Sequence, residues 1–85
     1  MRISYLYEFV DQLERLDSQV QRRLKEKLKE LHRIPGSTSY VHQPLKGPQF
    51  KGLYKLKVGD WRLIYRLVNG ELQFITLGHR SEVYK

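Results

Sequence analysis

Lys55, Lys57, Arg62 and Arg66 fall close together in the stretch KGLYKLKVGDWRLIYRL, residues 51–67. Side chains of this type and density suit the holding of a polyanion, because ammonium groups neutralise phosphate as point charges and guanidinium groups grip it with a planar fork of donors. Whether the four act together depends on where they point. If Gly59-Asp60 is a two-residue turn, Val58 faces Trp61, Lys57 faces Arg62, Leu56 faces Leu63, Lys55 faces Ile64 and Tyr54 faces Tyr65. Directly paired residues share a face, and the faces alternate along each strand. This places Lys55, Lys57, Arg62 and Arg66 on one side and Tyr54, Leu56, Leu63, Tyr65 and Leu67 on the other. Carried across Asn69-Gly70, the same arithmetic adds Leu72 and Phe74 to the apolar side and Gln73 and Ile75 to the basic one. Lys57 opposite Arg62 is a like-charge contact that mildly destabilises the hairpin, and no acidic residue within these strands offsets it. A solvated sheet face with lysines against edge aggregation is the bland explanation. An anion site is the sharper one, since it gives the repulsion a use. Ile64 and Ile75 interrupt the basic side, which leaves open either a small apolar patch or a register displaced by one.

The elements that must position these residues follow from periodicity. Residues 1–6, MRISYL, read as a short strand. Phe9, Leu13 and Leu16 then recur at helical spacing, and a second stripe, Val20, Leu24, Leu28 and Leu31, follows a cap at Asp17 or Ser18. Pro35 and Gly36 stop that second helix. Residues 36–48 show no period and form a long loop, of a length often tied to function. Three strand-like runs come next, Phe50 to Val58, Trp61 to Val68 and Leu72 to Leu77, the last two joined by Asn69-Gly70, a strong hairpin signal. The expected fold is α+β, β-α-α-β-β-β, with the helical hairpin packed on the Tyr/Leu/Phe face of an antiparallel sheet. Residues 1–85 form a single domain.

Composition bounds the function. The chain has 85 residues, a size that buries about 60–65% of the unfolded surface. Its 40% apolar and 12% aromatic content suffices for a compact core. There is no cysteine, and the three histidines lack zinc-like spacing, so neither metal nor cofactor is expected. No apolar run is long enough for a membrane span or signal peptide, and the expectation is a cytoplasmic protein. Sixteen Lys and Arg against nine Asp and Glu give a formal charge of +7 and an anionic partner as the first expectation.

The runs LKG at 45–47, GLYKLKVGDWRLIYRL at 52–67 and LGHRSEVY at 77–84, following a helical hairpin, resemble the RelE/ParE toxin superfamily of prokaryotic toxin–antitoxin systems. The resemblance covers nearly the whole chain and includes the order of elements. It implies one of two activities: the RelE branch cleaves messenger RNA in the ribosomal A site, and the ParE branch has a similar fold but poisons DNA gyrase. The RelE branch places lysines in its second strand, an arginine early in its third, and an arginine and a tyrosine after its fourth. Lys55 and Lys57, Arg62, Arg80 and Tyr84 stand at matching places. The region after the last strand is shorter than in some relatives, which leaves His79 eligible for the place given to Arg80.

Cleavage of RNA without a metal needs a base for the 2′-hydroxyl proton, cations for the crowded phosphorane and a proton for the leaving 5′-oxygen. At an effective dielectric of about 20, a like charge about 6 Å away costs an ammonium roughly 3 kcal/mol before screening, so crowded cations turn one lysine toward the neutral, basic form. On the resemblance, Lys55 or Lys57 is the base, Arg62 and Arg80 hold the phosphate, and Tyr84 orients or stacks on a nucleotide. Lys46, Lys51, Arg66 and His79 are candidates for further RNA contacts, whereas His32 and His42 belong to no evident constellation. The alternating charges of Arg22, Arg23, Lys25, Glu26, Lys27, Lys29 and Glu30 read as a solvated helix face with i, i+4 pairs.

The first expectation is therefore an endoribonuclease toxin acting on ribosome-bound message. The alternatives are a gyrase inhibitor of the same fold and a basic RNA- or DNA-binding module without chemistry. A toxin implies an antitoxin with an acidic, wrapping segment, the ribosome and messenger RNA as partners, and operator DNA bound only through the antitoxin complex; no membrane is involved.

Overall fold

The computed structural model describes residues 2–33 and 43–83. Two helices lie on one face of a five-stranded sheet. Strand β1 (Arg2–Tyr5) leads into α1 (Tyr7–Glu14) and α2 (Ser18–Arg33). After these come β2 (Gln43–Pro44), a 3-10 turn (Pro48–Phe50), β3 (Leu53–Val58), β4 (Trp61–Val68) and β5 (Glu71–His79). The Pro35-Gly36 stop, much of the long loop, His42 and Tyr84 lie outside the described residues. Within the loop's described part, two features were not legible in its sequence: β2, which pairs Gln43 with Lys55 and Pro44 with Tyr54, and the 3-10 turn that takes in Phe50.

The helices form where the apolar spacing predicts. Phe9 and Leu13 of α1 and Leu24, Leu28 and Leu31 of α2 are buried, and Leu16 and Val20 pack against them. Asp17 caps α2, its carboxylate accepting the Gln19 N–H at 3.1 Å and its carbonyl the Gln21 N–H at 2.8 Å. Against the helices the sheet presents Val58, Leu63, Tyr65, Leu72, Phe74 and Leu77, with Tyr54, Leu56 and Trp61 at the margin. Aromatic rings knit the layers: Phe74 is stacked on Tyr5 with centroids 5.6 Å apart and tilted against Phe9 at 5.3 Å and Tyr65 at 5.2 Å. Each such pair contributes about 0.5–1.5 kcal/mol beyond its buried area.

The sheet order is β1-β5-β4-β3-β2. Strands β3 to β5 are antiparallel as expected and the unforeseen β2 pairs antiparallel with β3, but β1 joins β5 in parallel, so the sheet is mixed rather than the purely antiparallel one expected. Both tight turns are as read from sequence. Asn69 and Gly70 have φ of 50° and 78°, the two positive values that a type I′ hairpin turn requires. The β3–β4 register also agrees pair for pair, from Tyr54 opposite Tyr65 to Val58 opposite Trp61.

In β5 simple alternation fails. Tyr65 is opposite Phe74, but Ile64 is opposite Thr76, so Ile75 is the extra residue of a β-bulge. From there on the faces exchange. Leu77, which alternation would send to the basic side, enters the core, and Gly78 arrives opposite Arg62. The exposed edge of β5 just past the bulge is closed from α1, where Gln12 Oε1 accepts the Leu77 N–H and the Thr76 hydroxyl, both at 2.9 Å. Ile64 keeps its expected place on the basic side but is only 3% exposed, so it offers no open apolar patch.

Candidate functional site

The face of the sheet turned away from the helices carries Lys55 and Lys57 on β3 and Arg62 and Arg66 on β4. Lys55 lies at the centre of the charge. Partial burial, followed by the neighbouring charges of Lys57, Arg62 and Lys46, holds its ammonium below the usual lysine range. Lys57 is exposed and directly opposite Arg62. Lys46, an exposed residue between β2 and the 3-10 turn, is thus also close enough to act on Lys55.

The turn Gly59-Asp60 gathers the arginines. Arg62 Nη1 donates to the carbonyls of Gly59 at 2.9 Å and Trp61 at 3.0 Å, which bends its side chain back over the hairpin tip. Arg80, one residue past β5, donates its backbone N–H to the Asp60 carbonyl at 2.8 Å, and its Nε lies 3.6 Å from the Asp60 carboxylate. Arg23 of α2 reaches the same tip, its Nη2 lying 2.9 Å from where a side chain on Gly59 would begin. From the sequence Asp60 was read only as a turn residue and Arg23 only as part of a solvated helix face. No local signal could have found them, since the contacts join positions about 20 and 36 residues apart.

Other candidates stand apart. Arg66 lies on the basic side but four residues along β4 from Arg62, roughly 13 Å at the rise of a strand, and its Nε donates to the Gln73 side chain. Lys51 is exposed beyond the 3-10 turn. His79 falls opposite Trp61, which packs on the helix side, and meets that indole edge-to-face at 5.6 Å. The bulge therefore separates His79 from the lysines. Its Nδ1 accepts the Ser81 N–H at 3.3 Å and lies 2.8 Å from the Ser81 hydroxyl, so in the neutral ring Nε2 carries the proton. Among the described residues no three His, Cys, Asp or Glu side chains are grouped to hold a metal ion, and no helix is long and apolar enough to cross a membrane.

The fold has known counterparts. The family described as ParE toxin of type II toxin–antitoxin system, parDE, matches residues 3–84, and the chain belongs to that family. No curated protein matches the sequence. Among solved structures, the isolated RelE toxin of E. coli is 27% identical over 98% of this chain and 89% of its own, with a TM-score of 0.66. YafQ from E. coli is 26% identical with both chains covered completely, TM-score 0.68. A chain of the toxin–antitoxin complex RelBE2 from Mycobacterium tuberculosis is 20% identical over 95% of this chain and 92% of its own, TM-score 0.73, a likeness that speaks for the fold alone. The protein is a type II toxin of the RelE/ParE fold.

Proposed function

We propose that this toxin is an endoribonuclease that cleaves messenger RNA in the ribosomal A site and so stops translation. The observation that carries the reading is Lys55, a lysine on an open sheet face whose ammonium is held below the usual range by burial and by three neighbouring cations, so that more of it stands in the neutral form able to take a proton. In its neutral form Lys55 takes the proton of a 2′-hydroxyl. The 2′-oxygen bonds to the adjacent phosphorus, the bond from phosphorus to the 5′-oxygen breaks, and that oxygen leaves with a proton from water. The products are a 2′,3′-cyclic phosphate and a 5′-hydroxyl. Arg62, Arg80 and Lys57 stabilise the charge that grows on the phosphorane, the role in which fixed cations are most effective. In this reading they do the work for which other nucleases use a metal, and Tyr84 orients a nucleotide. Lys46, Lys51 and Arg66 extend the basic surface along the RNA, whose binding then weakens steeply with salt.

The family's description as a ParE toxin favours a second reading, inhibition of DNA gyrase without chemistry of its own. Translation in a reconstituted system separates the two. Messages truncated at 5′-hydroxyl ends support the ribonuclease. Intact messages, with broken DNA accumulating on gyrase in a parallel reaction, would reverse the choice. The partner that silences the toxin is an antitoxin with an acidic segment laid over the basic surface, in keeping with the antitoxin complexes among the structural relatives. Operator DNA is bound only through that complex, and the cytoplasm, where ribosomes and message are, is the place of action.

A further inference from the structure

Gly78 lies directly opposite Arg62, so the side chain it lacks would project from the cation face. The space is already filled. A Cβ built on Gly78 comes 3.2 Å from Val83 Cβ and 3.4 Å from its Cγ2, tighter than ordinary van der Waals contact. Val83 reaches this spot because the chain reverses after β5: the N–H groups of Glu82 and Val83 both donate to the His79 carbonyl, at 2.8 and 2.9 Å. Gly78 is not among the glycines with positive φ, so a side chain there meets no left-handed backbone strain and must only push Val83 aside to find room. A side chain here would ordinarily strengthen a strand, so the glycine trades strand stability for the contact with Val83.

We propose that Gly78 is a positioning residue: its missing side chain seats Val83 on the sheet, which closes segment 80–83 over the end of the cation face and walls the flank of Arg62. The effect on cleavage rests on the ribonuclease reading, but the closure does not. The test uses Gly78→Val, Val83→Gly and the swap of both, which moves one side chain across the same contact. Amide hydrogen exchange at Glu82 and Val83 reads the closure, and exchange at Leu72 and Phe74 in β5 checks that each variant is folded. Gly78→Val and Val83→Gly should each speed exchange at the two turn amides at least tenfold, and the swap should recover part of that protection. In RNA cleavage, Gly78→Val should lower kcat about 10- to 100-fold with little change in KM, the size expected when a catalytic group is misplaced by about 1 Å. Gly78→Ala, a smaller intrusion, should do the same more weakly and serves if the valine variant does not fold. Turn amides still protected in Gly78→Val, or a swap no better than the two single changes combined, would overturn the proposal. A wild-type protein that cleaves nothing would count against the ribonuclease reading alone, with the exchange data still deciding the role of Gly78.

Discussion

Two tight turns join the three long strands, and their surroundings are opposite. Around Gly70 a Cβ would meet nothing within 4 Å, so Asn69-Gly70 is a bare reversal whose whole task is the positive φ at both positions. Gly59-Asp60 reverses the chain equally tightly, with Gly59 at φ 61°, and is crowded by guanidinium groups: Arg62 on its carbonyls, Arg80 on its acidic side chain and Arg23 against its glycine. The same local solution to strand reversal is plain scaffolding at one end of β4 and an anchor for charge at the other. What distinguishes them is the supply of acceptors. Carbonyls and one carboxylate at the β3–β4 tip offset the repulsion among arginines that would otherwise splay into solvent.

The contrast can be broken most severely at Arg62. Arg62→Ala should reduce cleavage about 10²- to 10³-fold, the usual cost of removing one stabilising donor from a reacting centre, with the fold intact by circular dichroism. A folded variant of full activity would strip the tip of its catalytic meaning. A smaller effect is expected from Lys57→Gln. The rate should rise with pH as Lys55 loses its proton, and removing the Lys57 charge lets the Lys55 pKa climb back toward the ordinary lysine range, so the rising limb of the pH–rate profile should move to higher pH. The same shift has a stability sign. Because the folded-state pKa is the lower one, protonated Lys55 weighs against folding at low and neutral pH, and stability recovers as pH rises from the folded value toward the unfolded one. Denaturant titrations of wild type and Lys55→Met, compared at neutral and alkaline pH, should therefore converge as pH rises.

The smallest effects sharpen the comparison best. Gly70→Ala forces alanine into a left-handed φ in open space and should cost about 1 kcal/mol, lowering Tm by roughly 4–8 °C, with cleavage unchanged. Gly59→Ala carries the same backbone strain and also displaces the Arg23 guanidinium, so it should match Gly70→Ala in stability while lowering activity several-fold. Equal activities in the two variants would show that the tips do not differ in function.

The sheet's basic side was legible because two-residue turns admit one register, and every β3–β4 pair follows from Gly59-Asp60 alone. The helical faces were equally legible, since Phe9, Leu13, Leu24, Leu28 and Leu31 repeat with the helix. The bulge at Ile75 was not, because nothing in the local sequence marks it, and the Gln12 side chain that accepts the Leu77 N–H beside it comes from far off in the chain. That single extra residue decides on which side His79 and Gly78 fall, and so which of the late-chain candidates join Lys55. Asp60's hold on Arg80 was hidden for a similar reason, since an aspartate in a turn already has an adequate local explanation.

Strand β5 lies between β1 and β4 although it follows every other described strand in the chain. During synthesis, then, the N-terminal strand must wait for its parallel neighbour until nearly all the other described residues have been made. The β3–β4 hairpin carries its lysines and arginines before then, but the sheet itself cannot be completed by a fragment that lacks β5. The fold of the toxin closes only once β5 has been made, which gives a neutralising protein that interval to be at hand.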